Sequence, residues 1–232
     1  MNASLTVSRK RPGMGILGWV ACLAMLVAIY TALVWVPPDA DMGDFQRIFY
    51  FHVPSASVAF LSFFVTFLGG IIYLRTRDFR WDVLAVSSAE VGVVFTSIAL
   101  ITGSIWARPI WGAWWTWDPR LTTTLILWFI YVAYLILRKN VDDPSRRASL
   151  AAVIGIVGFV DVPIVFMSIR WWRTIHPIVF EPGEFRVAPI MMVTLLVSLV
   201  AFTIFYAYLV TVRASLERVQ MVVEALEQDP WD

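Results

Sequence analysis

The 232-residue sequence has little to offer conventional polar chemistry: one cysteine, two histidines and 15% charged residues. A single thiol, Cys22, excludes an internal disulfide and any C-x-x-C motif, and inside an apolar run it reads as a small packing residue. Two imidazoles and one thiol cannot assemble a four-ligand zinc site from His and Cys clusters. The net charge is +1 and no block of like charges forms a basic arm, so a nucleic-acid partner is not expected. Neither an internal repeat nor a low-complexity segment divides the chain, and residues 1–232 read as one membrane domain.

What the sequence has is hydrocarbon. Hydrophobic residues make up 59% and the mean hydropathy is +0.75, against about 45–50% apolar residues in soluble domains. Apolar runs at 14–36, 53–74, 83–106, 121–137, 149–169 and 188–212 meet or approach the ~20 residues that a helix needs to cross a bilayer. The fold class expected is all-α: a polytopic membrane bundle of six transmembrane helices. The first run follows Arg9, Lys10 and Arg11 as a signal peptide would, but it exceeds the usual h-region and no A-x-A-like site closes it, so it reads as a retained helix.

Basic residues resist translocation and remain cytoplasmic. One set of connections, with the termini, holds twelve of the 18 Lys and Arg residues, and the other set holds six. Both termini are therefore expected in the cytoplasm, with outer loops at 37–52, 107–120 and 170–187. Residues 213–232 place Leu216, Val219, Val223 and Leu226 at helical spacing among charges, which suggests an amphipathic tail on the cytoplasmic surface or a solvated helix contacting a partner.

The two histidines fall on the same expected side. His52 follows an aromatic run in the first outer loop, and His176 follows Trp171 and Trp172 in the third. Either alone is more simply an interfacial or hydrogen-bonded residue. Together, two neutral imidazoles from different loops are able to hold one haem iron from opposite faces. Between them lies the stretch from Trp106 to Leu121, with five of the twelve tryptophans. An ordinary aromatic belt scatters its tryptophans and does not produce such a cluster. If residues 111–117 form a short interfacial helix, Trp111, Trp114 and Trp115 share a face with Trp117 beside it, a flat platform suited to a planar macrocycle. Arg47, Arg108, Arg120 and Arg173 add guanidiniums on this side for propionates, Asp118 or lipid phosphate.

The pattern Trp111-Gly112-x-Trp114-Trp115-x-Trp117-Asp118-Pro119-Arg120-Leu121-Thr122 resembles the tryptophan-rich signature of haem-handling proteins in cytochrome c maturation. With six spans, Arg47 and His52 before the second, and Trp171-Trp172-x-Thr174-x-His176 after the fifth, the chain is similar to CcmC-type haem chaperones. That resemblance implies a protein of the bacterial inner membrane that binds haem b transiently and non-covalently at the periplasmic surface and delivers it to the chaperone CcmE. It implies His52 and His176 as axial ligands, with Trp111, Trp114, Trp115, Trp117, Asp118, Arg47 and Arg120 around the ring. The implied partners are CcmE, the one-span protein CcmD, the ABC-transporter components CcmA and CcmB, and membrane lipid. The chain has no P-loop pattern, so ATP-driven work falls to such partners. No enzymatic activity is expected. A rival reading is a membrane enzyme using His52, Asp118 and His176 as acid/base groups on a lipid-linked substrate, which leaves the tryptophans unexplained.

Two acids fall within expected spans, Glu90 in the third and Asp161 in the fifth. An interhelical structural contact is the favoured reading for both.

Overall fold

The computed structural model describes residues 12–176, 180–181, 184–185 and 188–228. Its elements are α1 (Pro12–Tyr30), a π-helical turn (Thr31–Trp35), a 3-10 turn (Asp44–Ile48), α2 (Phe49–Thr76), α3 (Phe79–Trp111), α4 (Pro119–Lys139), α5 (Pro144–Phe159), α6 (Asp161–Trp171), β1 (Phe180–Glu181), β2 (Glu184–Phe185) and α7 (Pro189–Gln228). The two strands form a single two-residue antiparallel pair. Six helices are long and apolar enough to cross a membrane, as the sequence indicates.

The helices run further than the apolar periods suggest. The second span begins at Asp44, so His52 lies on a helix and not in a loop. The third continues to Trp111, five residues past its expected end. The fifth is two helices, α5 and α6, joined at Val160, whose N–H turns back to the Val157 carbonyl at 3.1 Å. Pro163 supplies the reason: it has no N–H for the Phe159 carbonyl four residues back, so the ladder is interrupted there.

Short connections are set by aspartate caps. Asp78, Asp118 and Asp143 each accept a backbone N–H from the first turn of α3, α4 or α5, at 2.9, 2.9 and 2.6 Å. Pro119 and Pro144 follow two of them at the first helical position, where a missing N–H costs nothing.

The core joins α2, α3, α4 and α7. Phe63 stacks on Tyr131 with ring centroids 3.7 Å apart, both fully buried. Gly92 lets α3 approach α2 there, because a Cβ at that position would stand 2.6 Å from the Phe63 ring. Between the helices, the Ser88 hydroxyl donates to the Ser62 carbonyl (2.7 Å) and meets the Tyr206 hydroxyl (2.8 Å), polar contacts that hold helices together where the surroundings are apolar.

Residues 213–228 are helical and amphipathic, as the spacing of their apolar residues suggests. They continue α7 without a break, and three of their charged residues face the bundle: Arg213 pairs with Glu90 and Glu217, Glu217 with Arg138, and Glu224 with Arg147. Leu216, Val219, Val223 and Leu226 are the exposed face. Residues 229–232 lie outside the described part. The same network gives Glu90 its structural role, an ion pair between α3 and α7. Asp161 sits at the α5–α6 kink, and its Oδ2 is buried without a hydrogen-bond partner.

Candidate functional site

A cleft opens between α2, α3 and α4 at the end of the bundle where α3 ends and α4 begins. Small residues create it. On α3, Ala99, Gly103 and Ala107 recur every four residues and share a face. On α2, His52, Ala56 and Ala59, four and then three residues apart, also share a face, and α4 adds Arg120, Thr124 and Leu127. Buried Thr96 and Leu127 form part of the lining on the bundle side. The cavity volume is about 170 Å³, and the cleft is open at its mouth.

Both histidines line this cleft, although 124 residues separate them in sequence. The His52 Nδ1 lies 3.2 Å from the Thr102 hydroxyl, which donates its only proton to the Ile98 carbonyl at 2.7 Å. With that proton on the carbonyl, Thr102 is free to accept, which favours the His52 tautomer that carries its proton on Nδ1 and keeps a lone pair on Nε2. Gly103 makes room for the ring: a Cβ there would stand 3.0 Å from Cε1 of the imidazole. The Trp106 ring lies 6.0 Å from it, centroid to centroid. His176 follows α6 in an irregular segment and meets the edge of Trp111 at 6.3 Å. Pro177, the turn residue that follows it, lies outside the described part.

The tryptophans do not form a four-membered platform. Gly112 adopts φ +74°, a left-handed conformation natural to glycine, and its N–H returns to the Arg108 carbonyl at 3.1 Å, ending α3 at Trp111. No helix spans 111–117. Trp111 and Trp115 line the cleft together with Trp106, while Trp114 and Trp117 are 58% and 76% exposed and do not line it. Trp106 Nε1 is buried and has no hydrogen-bond partner, an unmet donor beside the cleft.

The arginines also divide. Arg120 lines the cleft, and its guanidinium makes no ion pair among the described residues. Arg47 instead bonds Asp44 at 2.8 Å and the Ala32 carbonyl at 2.9 Å, fastening the 3-10 turn to the end of the first span. Arg108 turns its guanidinium to the Gly112 carbonyl. Arg173 is exposed. The Asp118 carboxylate lies just behind the cleft, 8% exposed, with Thr174 and Ile175 bonded to it.

Thr102, Gly103, Trp106 and the alanines of α2 and α3 escape a reading based on residue chemistry. The small-residue spacing Ala99-x3-Gly103-x3-Ala107 was visible in the sequence, but it marks helix packing as readily as a cleft.

The chain is similar in sequence to known proteins of one family. The family model described as heme exporter protein C matches residues 4–228. The chain is 38% identical over 202 residues to heme exporter protein C of Bradyrhizobium diazoefficiens, covering 84% of this chain and 75% of the relative. It is 34% identical over 218 residues to heme exporter protein C of Paracoccus denitrificans, covering 91% and 90%. A putative cytochrome c biosynthesis ccmC-like mitochondrial protein of Arabidopsis thaliana is 31% identical over 230 residues, covering 98% and 85%.

Proposed function

The chain belongs to the heme exporter protein C family, and from that premise we propose that it binds haem b transiently in the α2–α3–α4 cleft and passes it to the chaperone CcmE. The observation that carries the reading is the meeting of the chain's only two histidines at one cleft. Two neutral imidazoles fill both axial positions of a haem iron and leave none open for oxygen chemistry, which suits carriage of the cargo. The Thr102 hydroxyl beside Nδ1 favours the tautomer in which His52 offers Nε2. His52 packs against Thr102, Gly103 and Trp106 of α3, and His176 against Trp111 at the end of that helix. The two imidazoles thus reach the cleft from different elements, which suits ligation of one iron from two sides.

Trp106, Trp111 and Trp115 give the macrocycle apolar aromatic walls, and Arg120 gives a propionate its counter-charge. Trp114 and Trp117, exposed beside the mouth, are placed to meet CcmE or the outer edge of the haem. The excess of basic residues on the opposite connections supports a cleft mouth on the periplasmic side of a bacterial inner membrane. CcmD, and CcmA with CcmB as the ATP-using components, complete the assembly, and this chain breaks no bond of its own. The acid/base alternative loses support because Asp118 does not line the cleft and both its oxygens are engaged.

Haem titration of the purified protein in lipid nanodiscs, followed by addition of CcmE, tests this. Saturable binding and haem transfer to CcmE are expected. A protein that binds no haem overturns the reading.

A further inference from the structure

The carboxylate of Asp118 does more than a helix cap requires. Its Oδ1 accepts the Arg120 N–H at 2.9 Å, which is the cap. Its Oδ2 accepts two more donors from a segment over fifty residues away, the Thr174 hydroxyl at 2.6 Å and the Ile175 N–H at 3.0 Å. The Thr174 oxygen in turn accepts the His176 N–H at 3.0 Å. One hydroxyl therefore links Asp118 to the backbone of His176.

Packing alone does not hold that segment. Residues 173–175 have no regular structure, and Trp171, Trp172 and Ile175 are 61%, 50% and 52% exposed. The polar anchor is buried where they are not, and it stands at the positive N-terminal end of α4, which favours a carboxylate. Asparagine caps helices about as well as aspartate, so the cap does not require the second anionic oxygen. The distant loop does.

We infer that Asp118 is a positioning residue for His176: its carboxylate clamps Thr174 and Ile175 to the start of α4 and thereby sets where the His176 imidazole stands at the cleft. The inference rests on the proposed role of His176 as an iron ligand. It assigns Asp118 no contact with haem.

The test compares Asp118→Asn, Thr174→Val, Thr174→Ser and His176→Ala with the unaltered protein, each loaded with haem in nanodiscs. Asparagine keeps one acceptor oxygen but turns the other position into a donor. Valine keeps the threonine shape without its hydroxyl. Both variants are expected to lose the bis-imidazole absorption signature, to hold haem about 10- to 100-fold less tightly, and to regain the signature when free imidazole is added. Thr174→Ser should behave as the unaltered protein. Without haem, hydrogen exchange at the Ile175 amide should accelerate in Asp118→Asn. An altered spectrum in His176→Ala with unchanged spectra in Asp118→Asn and Thr174→Val overturns the clamp alone. An unchanged spectrum in His176→Ala overturns the ligand role and the clamp with it.

Discussion

The Thr102 hydroxyl stands 3.2 Å from His52 Nδ1 and donates to the Ile98 carbonyl at 2.7 Å, an arrangement that favours the His52 tautomer with its proton on Nδ1. Thr102 acts on the imidazole without lining the cleft itself. Thr102→Val removes the acceptor and frees the ring proton to move to Nε2. Haem affinity, measured by titration, should fall by about 10- to 100-fold, the usual cost of losing a ligand's orienting partner.

Gly103→Ala probes the same ring sterically. The added Cβ would stand 3.0 Å from Cε1 of His52, so the imidazole or the helix must shift. Reduced haem affinity is expected with the protein still inserted and folded. Gly15→Ala is the control, since nothing lies within 4 Å of the added carbon there. Equal affinity in both variants would contradict the packing of His52 on α3.

The division of the tryptophans is open to the same assay. Replacing Trp111 or Trp115 with Leu should weaken haem binding, because both rings line the cleft. Replacing Trp114 or Trp117 should affect binding less and transfer to CcmE more, since both are exposed outside it. The reverse order would restore the four-tryptophan platform.

Much of this was legible in the residues. Six apolar runs of adequate length gave six spans, because a bilayer demands ~20 apolar residues per helix and little else. The two histidines stood out by scarcity. Other features required coordinates. The end of α3 at Gly112 turns on one left-handed residue, which helical spacing of tryptophans does not reveal. The inward charges of residues 213–224 depend on Asp82, Glu90, Arg138 and Arg147 from other helices, so a helical-wheel reading of that segment alone turns its charged face outward. The role of Thr102 depends on a hydroxyl with a single proton, and no spacing rule encodes it.

The charge network at the far end of the bundle affects stability and not the cleft. Arg138 holds Asp82 in two bonds of 2.6 and 2.9 Å with both side chains 6% exposed. Asp82→Ala leaves a buried guanidinium short of its main partner and should cost about 3–5 kcal/mol, read as a lower unfolding temperature in detergent. Haem affinity per folded molecule should stay constant.

Arg120→Gln removes a guanidinium that lines the cleft with no ion pair among the described residues. Haem affinity should fall, and haem dimethyl ester, which lacks propionate charge, should bind both forms alike. A loss of the same size for the ester would assign Arg120 a structural role.

The central claim is that His52 and His176 hold one iron between them. Low-temperature electron paramagnetic resonance of the ferric haem complex, recorded for the unaltered protein and for His52→Ala and His176→Ala, tests it most directly. A low-spin bis-imidazole signal is expected in the unaltered protein, replaced in each single variant by a different coordination state or lost with the haem. The same low-spin signal in either alanine variant would contradict the account.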